Sequence, residues 1–267
     1  MNHLHEERLQ AVMTSLRAAT HTRSNDTSGT APAPSSLRFM TISRQAGAGG
    51  KGLADELVKA INRLTPEGER WCAWDDELVT KVAGEHHIGR KFIEALEDAD
   101  HRWINEFVAA FSSAGDPGEF KVFRRVAMTI RALASAGRAV IVGRGGAFIT
   151  AGLPEGIHVR LVAPADFRVR RMAERLHGSL EEAELRVREI DGNRSAFHHR
   201  YWPGKMVTPE AFTLTLNTAE LTETQMVACL LPLLHGHEVE ELSASDRPQE
   251  ALSTVGQRTG EQHGGMQ

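Results

Sequence analysis

The chain has 267 residues, of which 41% are hydrophobic and 25% are charged, so it can bury a sizeable core. Its formal net charge of −4 argues against a dedicated nucleic-acid-binding protein, because such proteins are usually basic. No apolar run approaches the roughly 18 residues of a membrane span, and no signal peptide is recognisable. We therefore expect a cytoplasmic protein without a nucleic-acid or membrane partner.

Composition divides the chain into three parts. Residues 1–36 combine a weakly amphipathic stretch at residues 4–19 with a linker rich in Ser, Thr, Pro and Gly. Residues 238–267 are polar and nearly lack large apolar side chains. We therefore expect an N-terminal helix and disordered linker, one folded domain over residues 37–237, and a disordered tail.

Strand-like and helical patterns alternate within the folded domain. The apolar runs that are typical of strands lie at residues 39–43, 70–74, 139–142, 157–162 and 212–217. The stretches with helical periodicity lie at about residues 53–61, 75–83, 89–113, 119–136, 166–176, 180–201 and 222–234. This alternation predicts a parallel sheet of five strands with helices on both faces, and ligands of such sheets bind at the carboxyl ends of the strands.

A glycine-rich turn follows the first strand. Gly47, Gly49, Gly50 and Gly52 fall within six residues, and helical spacing begins directly after them. Glycines let bare backbone N–H groups approach a ligand, and the N-terminus of a helix adds unpaired donors and partial positive charge. The turn therefore predicts a phosphate site, although a plain strand–helix connection produces the same pattern.

The turn departs from the phosphate-binding motif G-x-x-x-x-G-K-[ST]. In the matching register Gly50 takes the place of the lysine, Lys51 comes one residue later, and Gly52 replaces the Ser or Thr. Arg44 replaces the first glycine. We expect the cradle of backbone amides to persist with Arg44 and Lys51 as its cations, but the hydroxyl that binds magnesium is missing.

Arginines follow the later strands. Arg144 lies among glycines after residues 139–142, where its planar fork of donors suits a phosphate or carboxylate. Eight more arginines lie between residues 168 and 200, interleaved with glutamates. We interpret Arg175 and Arg186 as parts of a solvated helix face with i,i+4 ion pairs. The arginines expected near the site are Arg168, Arg171, Arg188 and Arg194.

Two further groups are less specific. His198 and His199 have no partners at metal-ligand spacing, so we expect no dedicated metal site. Phe197, Tyr201 and Trp202 could stack on a base, but packing in the core is the simpler explanation.

Five segments together resemble the cytidylate kinase-like family of P-loop nucleoside monophosphate kinases. They cover about residues 38–235 and read TISRQAGAGGKGLADELV, WDDELVTKVA, AVIVGRGGAFI, GIHVRLVAPADFRVRRM and REIDGNRSAFHHRYW. The resemblance implies a three-layer α/β/α P-loop kinase domain with a five-stranded parallel sheet of order 2-3-1-4-5, a helical monophosphate-binding insert and a lid. It also implies transfer of the γ-phosphoryl group of ATP, with Mg²⁺, to a nucleoside monophosphate, CMP or dCMP being the first candidates.

The resemblance further assigns roles to individual residues. The phosphates of ATP would be held by the turn and the first lid arginines, namely Arg44, Gly47, Ala48, Gly49, Gly50, Lys51, Gly52, Arg168 and Arg171. Asp75 and Arg144 would bind the acceptor. The catalytic residues would be Lys51, Arg188, Asp191 and Arg194.

Two of these roles are more specific. Arg194 would neutralise the migrating phosphoryl group, and Asp191 would hold an arginine or touch the acceptor sugar. Gly145 departs from the family, because cytidylate kinases have an aspartate there, near the acceptor nucleotide. Together with the altered turn, this departure leaves two alternatives: an ATP-binding regulatory module without catalysis, and a kinase of a non-nucleotide metabolite.

Overall fold

A computed structural model of the chain describes residues 38–66, 70–84, 117–143 and 145–235. These residues form one five-stranded sheet of order β2-β3-β1-β4-β5, in which every neighbouring pair is parallel. The strands are β1 (Phe39–Arg44), β2 (Cys72–Trp74), β3 (Ala139–Val142), β4 (Gly156–Val162) and β5 (Leu214–Asn217). The predicted parallel sheet and its strand order are confirmed.

The helices of the described residues follow the predicted alternation. They are α1 (Lys51–Asn62), α2 (Asp76–Gly84), α3 (Pro117–Ala136), α4 (Gly146–Ile149), α5 (Ala165–Leu176), α6 (Leu180–Tyr201) and α7 (Glu223–His235). None of them is long and apolar enough to cross a membrane. The helices predicted at residues 4–19 and 89–113, with the linker and tail, lie outside the described residues, and so does much of the predicted helical insert.

Strand β2 is shorter than predicted because the chain before it bonds to a helix. The backbone N–H of Trp71 donates to the side-chain oxygen of Asn62 at 2.7 Å, and its carbonyl accepts from the side-chain nitrogen of Asn62 at 2.9 Å. Trp71 therefore anchors β2 to the end of α1 instead of extending the strand.

Two hydrophobic cores cover the two faces of the sheet. On one face Met40 and Ile42 of β1 pack in a core with Leu57 of α1 and Leu230 of α7. The other face packs against α3, with Phe39, Ile141, Phe123 and Ile130 among its core residues. Alternate strand residues point to opposite faces, so β1 supplies both cores. This is the expected three-layer α/β/α arrangement.

A third, smaller core lies within the helical hairpin, the name used here for α5 and α6. Met172 and Ala173 of α5 pack with Ala183 and Val187 of α6 around Ala46, which follows β1. The hairpin turn is fixed by a capping box, in which the hydroxyl of Ser179 accepts from the N–H of Glu182 and the carboxylate of Glu182 accepts from the N–H of Ser179. The hairpin is thereby packed directly against the turn after β1.

Candidate active site

The glycine loop, residues 45–50, connects the carboxyl end of β1 to the first turn of α1. Gly47, Gly49 and Gly50 have φ angles of 79°, 95° and 126°, which residues with a side chain rarely adopt. Among the described residues, none of their three N–H groups has a hydrogen-bond partner. The first turn of α1 adds N–H groups that no intrahelical acceptor satisfies. The loop thus presents a set of open donors at a helix N-terminus, which suits a phosphate.

Two glycines of this region lie in close contact with other elements. A Cβ on Gly47 would overlap the carbonyl oxygen of Arg168, so only glycine lets the loop approach α5 this closely. A Cβ on Gly52 would lie 2.8 Å from Oε1 of Glu223 in α7. A carboxylate therefore occupies part of the space in which the Ser or Thr of a standard P-loop would project.

The loop cleft, a cavity of about 960 Å³, opens beside the glycine loop, α2 and the helical hairpin. Three carboxylates, from Asp75, Asp76 and Glu77, line it at the start of α2. Twice as many cations line it, namely Arg44, Lys51, Lys81, Arg171, Arg175 and Arg194. The guanidinium of Arg171 lies close to the loop, because a Cβ on Gly49 would be 3.1 Å from its Nη1. This excess of cations beside open amides suits a polyphosphate.

Lys51 and Asp75 form an ion pair at the edge of the loop cleft, with Nζ 2.7 Å from Oδ2. Asp75 also caps α2, since its Oδ1 accepts from the N–H of Leu78 at 3.0 Å. Burial alone would raise the pKa of Asp75, but the hydrogen bonds from Lys51 and Leu78 lower it overall. The hydrogen bond and charge of Asp75 raise the pKa of Lys51, so both groups are charged at neutral pH. Because the side chain of Lys51 is 71% exposed, it can reach a second anion.

Arg168 and Asp191 hold the backbone of Ala46 from both sides. Nη1 of Arg168 donates to the carbonyl oxygen of Ala46 at 3.1 Å and to Oδ2 of Asp191 at 2.6 Å. Oδ1 of Asp191 accepts from the N–H of Ala46 at 2.7 Å. The side chain of Arg168 is 11% exposed, so the ion pair is largely sheltered from water. Neither residue lines the loop cleft. Their contacts instead fix the glycine loop to the helical hairpin.

Arg194 lies where α6 passes the carboxyl end of β1. Its Nη1 donates to the carbonyl oxygen of Arg44 at 3.0 Å and lies 3.9 Å from Oδ1 of Asp191. Burial lowers the pKa of Arg194, and the charges of Asp191 and Asp76 oppose this effect. Since an arginine stays protonated at neutral pH, Arg194 is a partly desolvated cation placed to attract an anionic group.

A second cavity, of about 470 Å³, lies between β1, β4 and the C-terminal half of α6. We name it the aromatic cleft, because four aromatic rings line it, those of Phe148, Phe197, Trp202 and Phe212. Its polar lining includes four arginines, Arg44, Arg160, Arg186 and Arg194, and one carboxylate, that of Asp76. This combination suits an anion that carries a flat ring.

The two clefts meet at four residues that line both of them. These residues are Arg44, Asp76, Ile190 and Arg194. Sequence reasoning singles out the two arginines, and it places Asp75 and Asp76 together after a strand but assigns a role to Asp75 alone. It also passed over Arg160, whose signal was a charge inside the otherwise apolar run 157–162.

Gly145 lies against one wall of the aromatic cleft. Its φ angle is 72°, and a Cβ there would overlap the indole ring of Trp202. Trp202 is buried among other rings, with centroids 5.9 Å from Phe123 and 5.4 Å from Phe148. The indole therefore fills the space into which an aspartate at position 145 would project. Tyr201, in contrast, stacks on Phe123 within the core.

Besides Arg168 and Asp191, two predicted site residues are not brought to a cleft. Arg188 has a side chain that is 72% exposed and an ion pair with Glu184 at 2.6 Å, and it lines neither cavity. Ala48 is fully buried, and its N–H donates to the carbonyl of Gln45 at 3.1 Å within the loop. Arg144 lies outside the described residues. Arg175 and Arg186 are exposed, as interpreted from the sequence, yet each lines a cleft.

The residues present fit a magnesium-bound nucleotide better than a metal alone. Among the described residues, no group of three or more His, Cys, Asp or Glu side chains is placed to hold a metal ion. Mg²⁺ in phosphoryl-transfer sites is usually bound through substrate phosphates, waters and one or two carboxylates. In the loop cleft those carboxylates would be Asp75 and Asp76.

A parallel sheet of order 2-3-1-4-5, with a glycine loop after β1 and an arginine-bearing helical hairpin beside it, defines the α/β fold of P-loop kinases. Comparison with protein families gives a match to the cytidylate kinase-like family over residues 39–220, more than half of the chain. The chain therefore belongs to the cytidylate kinase-like family. The resemblance identified from its sequence motifs is confirmed.

Several solved structures are similar to this chain at low sequence identity. An uncharacterized protein from Eubacterium ventriosum is 20% identical, with a TM-score of 0.58 over 74% of this chain and 98% of that chain. A shikimate kinase from Acinetobacter baumannii, solved with shikimate, is 15% identical, with a TM-score of 0.40 over 76% of this chain and 96% of that one. A shikimate kinase from Bacteroides thetaiotaomicron is 16% identical, with a TM-score of 0.40 over 74% of this chain and 98% of that chain. A comparison with curated proteins found no match.

Substitution of Gly47 tests the close approach of the loop to α5. Gly152 is a matched control, because its φ of 82° is similar but a Cβ there would meet nothing within 4 Å. We expect Gly152→Ala to cost about 1–2 kcal/mol of the free energy of unfolding through backbone strain alone. Gly47→Ala should cost more and should also weaken ATP binding, because the loop must move. Chemical denaturation and calorimetric titration with ATP measure the two effects, and equal behaviour of both variants would contradict the tight contact.

A double-mutant cycle tests the ion pair that holds Ala46. We expect Arg168→Met and Asp191→Asn to be coupled by about 1–3 kcal/mol in the free energy of unfolding, because the pair is sheltered and shares a partner. The exposed pair of Arg188 and Glu184 serves as the control and should show a coupling of about 0.2–1 kcal/mol. Denaturation curves of the single and double variants give both values. Similar coupling for the two pairs would contradict the structural role assigned to Arg168 and Asp191.

Proposed function

We propose that this protein is a cytoplasmic kinase that transfers the γ-phosphoryl group of ATP to a nucleoside monophosphate, with CMP and dCMP as the first candidates. One observation carries the proposal: the loop cleft and the aromatic cleft meet at Arg44, Asp76 and Arg194. A transferase of this kind needs a donor site and an acceptor site that share a cationic boundary. The proposal includes a small-molecule acceptor and no nucleic-acid or membrane partner.

The loop cleft is suited to the donor. The open N–H groups of Gly47, Gly49 and Gly50 and the first turn of α1 would bind phosphate oxygens. Lys51 and Arg171 lie at the same cleft and would add charge-assisted hydrogen bonds. In phosphoryl transfer the protein contributes mainly positioning and neutralisation of charge, and this set of donors supplies both.

The aromatic cleft is suited to the acceptor. Its rings offer flat apolar surfaces for a base, while Arg44 and Arg194 offer donors to the acceptor phosphate at the boundary with the loop cleft. In this arrangement the two reacting phosphates would both lie beside Arg44 and Arg194, which would neutralise the charge that develops between them. Asp76, at the same boundary, would position the acceptor or a magnesium-bound water.

Magnesium, when bound with ATP, would supply further neutralisation of the β- and γ-phosphates. The chain lacks the hydroxyl that usually assists at position 52, and the carboxylate of Glu223 lies beside that position. Asp75 is already paired with Lys51 and caps α2.

Two observations favour the alternative functions. The pairing of Lys51 with Asp75 and the absence of a hydroxyl at Gly52 favour an ATP-binding regulatory module without catalysis. The indole of Trp202 in place of an acidic group at Gly145 favours an acceptor other than a cytidine nucleotide, including a non-nucleotide metabolite. Stabilisation by ATP follows RT ln(1 + [L]/Kd), so a thermal shift with ATP but no turnover on any acceptor would select the regulatory module.

A screen of acceptors tests the proposal directly. Purified full-length protein with saturating Mg-ATP should release ADP when CMP or dCMP is added, in a coupled assay across all common nucleoside monophosphates. The background without acceptor is the control, and thermal unfolding confirms that the protein is folded. No turnover on any nucleoside monophosphate would refute the nucleotide kinase.

Substitutions of Lys51 and Arg194 should separate binding from catalysis. We expect Lys51→Ala to weaken ATP binding by about tenfold or more, because a charged hydrogen bond to phosphate is lost. Arg194→Ala should leave ATP binding nearly unchanged and lower kcat by about 100-fold or more, because charge neutralisation during transfer is lost. Calorimetry and steady-state kinetics measure the two effects.

Lys59 provides the matched control for Lys51. It lies on the same helix, pairs with Glu56 at 2.7 Å and lines neither cleft. Lys59→Ala should bind ATP as the wild type does. An equal loss of ATP affinity in the Lys51 and Arg194 variants would show that the two roles are wrongly divided.

A further inference from the structure

Arg160 is a partly buried cation on an inner strand of the sheet. It lies in β4, in register with Ser43 of β1 and Thr215 of β5, and its side chain is partly buried. Among the described residues, no carboxylate lies within ion-pair distance of its guanidinium. Asp191 acts on it electrostatically but is bound to Arg168. Burial consequently lowers the pKa of Arg160.

Such a residue is costly to the fold. Desolvation of a charge is repaid only by a well-placed partner, and replacement by an apolar residue is often neutral or stabilising. The guanidinium does contact a ring, its Cζ lying 5.3 Å from the centroid of Phe212. This contact leaves the N–H donors in the plane of the guanidinium available. Because Arg160 lines the aromatic cleft, a ligand there can reach them.

The surroundings of Arg160 favour a flat ligand. Phe148, Phe197, Trp202 and Phe212 provide the apolar walls of the cleft. His198 lies in the same wall, is only 9% exposed, and has no hydrogen-bond partner for Nε2 among the described residues. The cleft thus combines ring surfaces with polar groups that the protein itself does not satisfy.

We propose that Arg160 is the residue that determines acceptor specificity, its fork of N–H donors binding a ring edge with two adjacent hydrogen-bond acceptors. This inference rests on the proposed function in one respect, that the aromatic cleft is the acceptor site. A guanidinium pairs best with two acceptors side by side. Guanine has such a pair in O6 and N7, and cytosine has one in O2 and N3. Adenine sets an amino donor beside N7, and N3–H separates the two oxygens of uracil.

Binding in the absence of ATP tests this inference separately from turnover. We expect the full-length wild-type protein to bind CMP and GMP at least about tenfold more tightly than UMP and AMP, the usual value of a bidentate contact. Arg160→Met should lose this preference while ATP affinity stays unchanged. Arg160→Lys, which keeps the charge but not the fork, should lose it as well. Isothermal titration of the four monophosphates and of ATP gives all of these values.

The control is Arg170→Met, because Arg170 is exposed on α5, pairs with Asp166 at 2.9 Å and lines neither cleft. It should bind all ligands as the wild type does. Arg160→Met should be at least as stable as the wild type in thermal unfolding, since a partly buried unpaired charge is removed.

The outcomes separate this inference from the proposed function. A preference for CMP and GMP that depends on Arg160 supports the inference even if no phosphoryl transfer is detected. Turnover of a nucleoside monophosphate with an unchanged KM in Arg160→Met would overturn the inference and leave the kinase intact. Failure of the wild type to bind any of the four monophosphates, or a loss of ATP affinity and stability in Arg160→Met, would also overturn it.

Discussion

The position of one backbone residue, Ala46, is the constraint on which the candidate site depends. Its N–H is held by Asp191 and its carbonyl by Arg168, while its side chain is buried between α5 and α6. Gly47 follows in contact with the backbone of α5. The glycine loop and the helical hairpin consequently form one unit, so a movement of the hairpin would change the orientation of the loop amides. The orientation of the loop amides and the position of the hairpin are therefore physically coupled.

Most of the fold could be predicted from the sequence because its signals are local. The run 139–142 has the bounds of β3, because a continuous apolar run between two glycines marks it. The helix at 180–201 has the bounds of α6, and the capping box of Ser179 and Glu182 marks its start. The predicted elements differ from the observed ones where tertiary contacts, and not local sequence, determine the bounds of an element. Phe212 lies before β5 and lines the aromatic cleft under Arg160, although it belongs to an alternating apolar run. Helix α4 has four residues, too few for any helical period to be visible.

The candidate site was predictable only in part. The glycine loop and Arg194 were found because motifs record residues that are close in sequence or regularly spaced. The hydrogen bond between Ala46 and Asp191 joins residues 145 positions apart in the sequence, so no local sequence pattern predicts it. The sequence does not distinguish Asp76 from Asp75, because only the structure shows that Asp76 lines both clefts and Asp75 lines one. The sequence does not indicate a role for Arg160, because it does not show whether the guanidinium has a partner. In the structure no carboxylate among the described residues pairs with it.

The contact between Gly145 and Trp202 has a consequence for how this family can diverge. The indole is wedged among rigid rings and cannot yield to a Cβ at position 145 as a flexible side chain would. An aspartate at position 145 and a tryptophan at position 202 therefore exclude each other. The acidic form and the aromatic form of this cleft wall are linked alternatives separated by two simultaneous substitutions, and residues at the two positions should covary among relatives. In evolutionary terms, the change between them is epistatic.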